Sequence, residues 1–406
     1  MVVDSTCPPP SYAAVLRIRH AGRTFGAALV GRLSYGMVAL SLVLAVKEAT
    51  DSYPVAGTVM ALFGATSVLL SPARAALVDR YGPARVLPPM AAVYAALLTV
   101  SAVATWRPGV PGLWLGVAAS AAGACTPPLG PVMRTLWSEL APDPALLQRA
   151  YSLDGVAEEV LFASGPLLVG VLVSFAPPAA GVVVSAALVL TGTLAMVSSP
   201  VVRGVSGSVV EQVEEATAGS AEVADPVRGS GLWRAVLVAG GVGLCLGTLD
   251  LLALAFAEAR DRPEALAWIL AALSAGSAVG GLAHGAVTWR IPPERRLPLI
   301  ALGLGLTLAA AGLSPNLYVL AAAATVTGLF VAPAITTAYL LADAVATAKT
   351  RTRTGAWVNT TLNAGASIGT AAIGLLIGRL SLPWCFIVAA APILLFAVIT
   401  AAARAR

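Results

Sequence analysis

The sequence predicts an all-α polytopic membrane protein with twelve transmembrane helices, arranged as two six-helix parallel-repeat halves. Three observations carry this reading. Only 11% of the 406 residues are charged and 58% are hydrophobic, against about 25% charged in soluble domains. Apolar runs of about 20 residues recur along the chain, the length that crosses a bilayer core at about 1.5 Å per residue. A single long polar stretch, residues 201–232, interrupts them near the middle.

The elements follow in order. Residues 1–23 are a tail that opens with MVVDSTCPPPSY, and its start lacks the apolar segment of a cleaved signal. Residues 24–200 hold spans at about 24–46, 54–73, 86–105, 112–133, 150–175 and 180–200. Residues 201–232, Gly/Ser-rich and acidic, read as a flexible linker. Residues 233–406 hold spans at about 233–257, 265–289, 297–314, 317–341, 355–378 and 383–403, then a short tail. Most other connections are only a few residues, so neighbouring helices run antiparallel. The run Thr126-Pro-Pro-Leu-Gly-Pro131 is expected to bend or break the fourth span, which a membrane tolerates only where the freed backbone is buried or lines a cavity. Cys7, Cys125, Cys245 and Cys385 form no CxxC and read as small apolar residues.

Charge sets the orientation. With the N-terminus inside, 19 of the 25 basic residues fall in cytoplasmic loops and tails, Arg74 and Arg134 among them. Five fall outside, and Arg32 lies within the first span. This positive-inside bias places both termini in the cytoplasm. It also accounts for the net charge of +5 without nucleic acid as a partner. Arginine outnumbers lysine 23 to 2, a codon signature of a GC-rich bacterial genome and hence of a bacterial plasma membrane. The halves share an internal match at an offset of 210 residues. Arg80, Pro83, Arg85 and Leu87-Pro88 recur as Arg290, Pro293, Arg295 and Leu297-Pro298. Both segments are cytoplasmic loops, so the symmetry axis runs along the membrane normal.

The segment ALVDRYGPAR resembles the G-x-L-x-D-R-x-G-x-[RK]-[RK] signature between helices two and three of the major facilitator superfamily. Leu77, Asp79, Arg80, Gly82 and Arg85 carry the match; Ala75 replaces the first glycine and Arg85 alone closes the motif. Within the superfamily the chain is similar to an actinobacterial drug/metabolite-efflux-like group through GRLSYGM (31–37), TPPLGPVMRTLW (126–137), YSLDGVAEEVLFASGP (151–166) and WVNTTLNAGASIG (357–369). The resemblance implies the major facilitator fold, a monomer, transport of a small-molecule substrate, and a gating role for Asp79 and Arg80. That group carries an acidic residue near the start of helix eleven, where this chain has Arg353. In the fifth span, GPLLVG is similar to the antiporter motif G-P-x-x-G-G at Gly165, Pro166 and Gly170, with Val169 in place of one glycine. Physically, glycine permits close helix approach and proline bends a helix.

Charges inside spans are functional candidates by default. Glu158 and Glu159 stand about 12–14 Å past Ala150, Arg32 about 12 Å past Thr24, and Asp250 about 12 Å before Glu258, all near the midplane. Adjacent helical residues point about 100° apart, so the two glutamates do different work. One is expected to neutralise Arg32; the other, with a lean to Glu159, is left to carry a coupling proton. A structural polar knot of the three residues is the competing reading. Asp250 either binds protons or cationic substrate, or hydrogen-bonds toward Asn359 and Asn363. His284 reads as a satisfied structural histidine. Tyr35, Thr126, Asn359, Asn363, Trp114 and Trp357 are candidates to line a cavity. Two histidines, no metal pair, no G-x-S-x-G and no P-loop speak against an enzyme and against any cofactor beyond the proton. The expectation is proton-coupled efflux of small organic or amphiphilic compounds; proton-coupled uptake of a nutrient, or a non-transporting sensor, are the alternatives. A fluorescent protein fused to Arg406 should mature and emit, since it folds in the cytoplasm; a dark fusion beside an active exported phosphatase fusion would invert the orientation.

Overall fold

The computed structural model describes residues 11–106, 109–141, 143–204, 232–262, 264–347 and 349–402. Cys7, the start of the N-terminal tail, the body of the linker (205–231), and Arg107, Arg228, Arg404 and Arg406 lie outside the described residues.

A short helix, α1 (Tyr12–Arg17), precedes α2 (Ala21–Thr50). Next come α3 (Tyr53–Leu69), α4 (Ser71–Tyr81), α5 (Pro83–Thr105), α6 (Gly112–Ala124), α7 (Leu129–Leu140), α8 (Pro144–Val173) and α9 (Pro178–Val197). Beyond the linker stand α10 (Leu232–Glu258), α11 (Ala265–Ala286), α12 (Pro293–Ala311), α13 (Leu317–Val345), α14 (Arg351–Leu376) and α15 (Leu382–Ala402). Twelve passes result when α3 with α4, and α6 with α7, each count as one. Eight single helices, or nine with the α3–α4 pair, are long and apolar enough to cross a bilayer by themselves. α12 falls short because its first turn carries Glu294, Arg295 and Arg296, and α14 because of its threonines and asparagines.

Local chemistry starts and stops these helices. Ser52 and Asn316 cap α3 and α13 through their side-chain oxygens, and Asp143 caps α8 just ahead of Pro144, the usual cap followed by a proline that needs no donor. Between α4 and α5 the chain turns at Gly82, φ 82°, and Pro83 opens α5. That left-handed φ explains the glycine of the loop motif. Pro293 opens α12 in the same way, so the two loops matched in sequence do the same job in each half.

Most packing stays within each half: α2 on α9, α3 on α6 and α5 on α9 in the first; α10 on α14, α11 on α13 and α12 on α15 in the second. The halves meet where α8 packs on α11 and α13, and where α4 and α7 pack on α14. Glycine sets the closest approach in the first half. Gly165 of α8 lies against the Gly36 backbone of α2, and a Cβ on Gly36 would stand 2.6 Å from the Leu161 carbonyl oxygen.

Several sequence expectations need correction. The second span is two helices bent by 42° at Leu70. The fourth breaks at Cys125–Pro128, as its proline run implied, but does not end at Met133: helix resumes at Leu129 and runs to Leu140. Arg74 and Arg134 are therefore interior residues, 6% and 4% exposed, and not loop cations. The fifth span begins six residues before the predicted Ala150, because Asp143 and Pro144 start a helix that polar residues continue. Gly170 does not share the Gly165 seam: it is exposed, with open space where a Cβ would stand, and Pro166 is exposed inside a continuous α8. Gly165→Leu should thus lower stability in detergent by about 1–3 kcal/mol through overpacking, whereas Gly170→Leu should leave the thermal unfolding midpoint unchanged.

Candidate functional site

A cavity of about 730 Å³ lies between the halves. Glu158, Arg32, Arg134 and Asp154 meet at its wall in a closed ring of ion pairs. Arg32 reaches Asp154 at 2.7 Å and Glu158 at 2.9 Å, while Arg134 reaches Asp154 at 3.1 Å and also pairs with Glu158. Asp154 is wholly buried and both arginine side chains are nearly so; Glu158 keeps 26% of its side chain exposed, toward the cavity. Two positive and two negative charges cancel, which is the condition for carrying them into a medium of low dielectric constant.

Each helix supplies one part of this ring for a local reason. Asp154 and Glu158 are four residues apart on α8 and share a face. Arg32 comes from the crossing α2. Arg134 arrives only because α6 stops at the Pro127-Pro128 pair and α7 restarts, carrying residue 134 inward. Its guanidinium also stacks 4.0 Å over the Tyr339 ring of α13, in the other half.

Glu159 points elsewhere. It accepts a hydrogen bond from the Ser277 hydroxyl of α11 across the seam, and its second oxygen has no partner. No cation lies within ion-pair distance of it among the described residues. Asp250 on α10 also faces the cavity, without an ion pair or hydrogen bond among the described residues, so the suggested bond to the α14 asparagines does not form. Asn363 instead donates to the Asn359 carbonyl of its own helix at 2.8 Å. Tyr35, Thr126, Asn359 and Asn363 all line the cavity; Trp114 and Trp357 do not. Tyr35 donates to the Pro127 carbonyl at 2.5 Å, satisfying backbone freed by the break in the fourth span. His284 is buried, with Nε2 3.3 Å from the Thr337 hydroxyl and its ring against Trp289.

One end of the cavity is sealed. The Asp79 carboxylate accepts from the backbone N–H groups of Thr352 (3.0 Å) and Arg353 (2.8 Å), so an anion from one half caps the α14 N-terminus of the other. Arg80 and Arg85 are exposed, Arg80 lying over Tyr81; within the loop motif Asp79 bridges the halves and Gly82 makes the turn. Gln148 donates to the His284 carbonyl at 2.7 Å and Arg149 to the Ala286 carbonyl at 2.9 Å. Arg296 donates to Gln148 at 2.7 Å, and Tyr12 donates to the Leu282 carbonyl. No hydrogen bond joins the halves at the opposite end among the described residues.

Asp154, Arg134, Ser277 and Tyr339 escaped the sequence reading. Asp154 was visible as the i−4 neighbour of Glu158. Arg134 was hidden by a span drawn to end at Met133.

Two helical bundles around a central cavity sealed at one end, with ion-paired side chains at its wall, define a carrier architecture. The Major Facilitator Superfamily sequence pattern matches residues 24–261 and again 251–406, and the chain belongs to that superfamily. No curated protein matches it. Solved structures similar in fold include a bacterial homologue of the iron transporter ferroportin in an outward-facing state (TM-score 0.70, 14% identity, 96% of this chain and 100% of that one). The human organic anion transporter MFSD10 (TETRAN) is another (TM-score 0.74, 14% identity, 96% and 100%). A third is the proton:xylose symporter XylE (TM-score 0.69, 10% identity, 94% and 95%).

The ring makes a sharp energetic prediction. Asp154→Ala leaves a buried positive charge and should cost about 3–5 kcal/mol. Adding Arg32→Leu restores neutrality and should recover part of that loss. Unfolding in detergent, read as a double-mutant cycle, should show a favourable coupling; additive effects would mean the ring is not energetically closed.

Proposed function

We propose that this chain is a proton-coupled exporter of small organic, amphiphilic compounds, working by alternating access in a bacterial plasma membrane with both termini cytoplasmic. The observation that carries the reading is the unequal environment of the two adjacent glutamates. Glu158 is engaged by two arginines, whereas Glu159, among the described residues, accepts a hydrogen bond from the Ser277 hydroxyl of the other half and makes no ion pair. In this reading the Glu159–Ser277 contact breaks during the transition between the two access states. A carboxylate stripped of both water and its donor is disfavoured in an apolar medium. A proton, or a cationic group of the substrate, removes that penalty, and this ties ion movement to the conformational step.

The proton is the coupling ion in this reading, no other cofactor is required, and the working unit is a monomer. Asp250 provides a second carboxylate on the opposite wall. Leu246, Leu270, Leu273, Phe162, Val331 and Ile335 supply the apolar lining that suits an amphiphile. The sealed end is the face bearing Arg80, Arg85 and Arg295, the cytoplasmic face by charge bias, which makes the conformation outward-open. The partial fifth-span resemblance at Gly165, Pro166 and Gly170 and the sparsely polar first and seventh spans favour efflux over uptake. Relation to the actinobacterial efflux-like group is part of the same proposal.

In everted membrane vesicles, adding an exported compound should partly collapse an imposed pH gradient, with dyes and antibiotics as the first panel. Glu159→Gln should abolish gradient-driven transport yet retain counterflow exchange. Normal active transport by E159Q would move the coupling role away from Glu159; proton movement in the opposite sense would make the carrier a symporter, and none at all would make it a facilitator.

A further inference from the structure

Arg74 has no carboxylate within ion-pair distance among the described residues, although it is 6% exposed and lines the central cavity. Its partners are backbone carbonyls at two helix ends. Nη2 donates to Ser67 at 2.5 Å, in the last turn of α3, and Nη1 donates to Gly123 (3.0 Å) and Ala124 (3.2 Å), the last residues of α6. The last carbonyls of a helix lack intrahelical donors and carry the negative end of its dipole. One guanidinium with five N–H groups thus serves both interruptions at once, from a stem rooted on the far side of the first.

The two interruptions also divide most helix contacts by allegiance, with one bond across the division, from the Thr360 hydroxyl of α14 to the Val68 carbonyl in the last turn of α3 (3.3 Å). The segments before them, α3 and α6, pack on one another, closely enough that a Cβ on Gly123 would collide with Thr66 and the Phe63 carbonyl. The segments after them, α4 and α7, pack on α14 of the other half. There Asp79 caps α14, the Thr135 and Thr352 hydroxyls stand 3.1 Å apart, and Arg134 stacks on Tyr339. The α14 side of the seal is therefore made by α4 and α7 together, each hinged where Arg74 binds, while α8 makes the side that faces α11.

We infer that Arg74 is a positioning residue that couples the two breaks, so that α4 and α7 swing as one gate while α3 and α6 stay in place. The inference rests on the reading of the chain as an alternating-access carrier. It adds that opening of the sealed end proceeds by bending at Leu70 and at Cys125–Pro128, and not by rocking of rigid halves alone. Because α7 carries Arg134, the same swing draws on the charge ring, linking gate position to the occupancy of Glu158.

Spin-label pairs in lipid nanodiscs test this, in a background with Cys7→Ala and Cys125→Ala, the remaining cysteines being buried. Labels at Tyr81 and Lys349 report α4 against the other half, labels at Glu139 and Lys349 report α7, and labels at Tyr53 and Leu113 report α3 against α6. With Arg74 present, the long-distance fractions of the two gate pairs should be equal at acidic and at alkaline pH. In R74Q they should diverge while the Tyr53–Leu113 distance holds. R74K, a compact charge unable to reach both ends, should show a smaller divergence of the same kind, and it decides the matter if R74Q fails to insert. Equal fractions in both variants would overturn the inference, as would a Tyr53–Leu113 distance that loosens with the gate, which marks Arg74 as a staple of the whole bundle. If the distances of the parent protein ignore pH, proton coupling fails, yet the comparison of the variants with the parent still reads on Arg74.

Discussion

The ring of Arg32, Asp154, Arg134 and Glu158 is the constraint around which the first half is organised. Four ionised groups, three of them buried, are tolerable only as a closed, neutral set, in which each carboxylate meets both guanidinium groups. Meeting that condition requires α2 to cross α8 closely, which Gly36 and Gly165 allow. It also requires α7 to bring Arg134 inward, which the Pro127-Pro128 interruption allows. The ring's exposed corner, Glu158, forms part of the cavity wall, and its Arg134 side is stacked on Tyr339 across the seam. Charge compensation, helix breakage and the meeting of the halves are thus parts of one arrangement.

The seam itself uses weak, separable contacts. A carboxylate on a helix N-terminus, hydroxyls facing each other, side chains on backbone carbonyls, one stacked guanidinium and the close approach of Gly285 to Ser152 hold the sealed end, whereas glycine against backbone, as at Gly36–Leu161 and Gly243–Leu362, holds helices together within each half. Contacts of this kind break individually at modest cost and re-form with water, while close-packed helix crossings do not. That contrast is what a carrier with two access states needs. Glu159 stands on this seam, one residue from the ring yet outside it, so the proposed proton site sits where the halves must part.

Much of this was legible in the residues. Apolar run length and the distribution of arginines marked the passes and their alternation, because the bilayer imposes both rules on any chain that crosses it. Arg32, Glu158, Glu159 and Asp250 were recognisable as mid-depth charges because hydrocarbon makes such residues rare. The loop matches at 80–88 and 290–298 disclosed the repeat. Helix ends were less legible, since a polar cap such as Asp143 or a run such as Arg134–Leu140 reads equally well as loop when hydropathy alone is weighed.

Hydropathy and charge, read along the chain, were enough for the class of fold and for the need to pair some of its ionisable groups. Pairing itself was decided in three dimensions. Which glutamate meets arginine depends on a difference of about 100° between neighbours on α8 and on which helices happen to face each side. Arg74 and Arg134 changed from loop cations into interior groups because two spans break, and breaks rotate and displace everything beyond them. Position along the chain fixes the spacing of residues along a helix, because helix rise is constant; it says little about azimuth, and azimuth selects the partner.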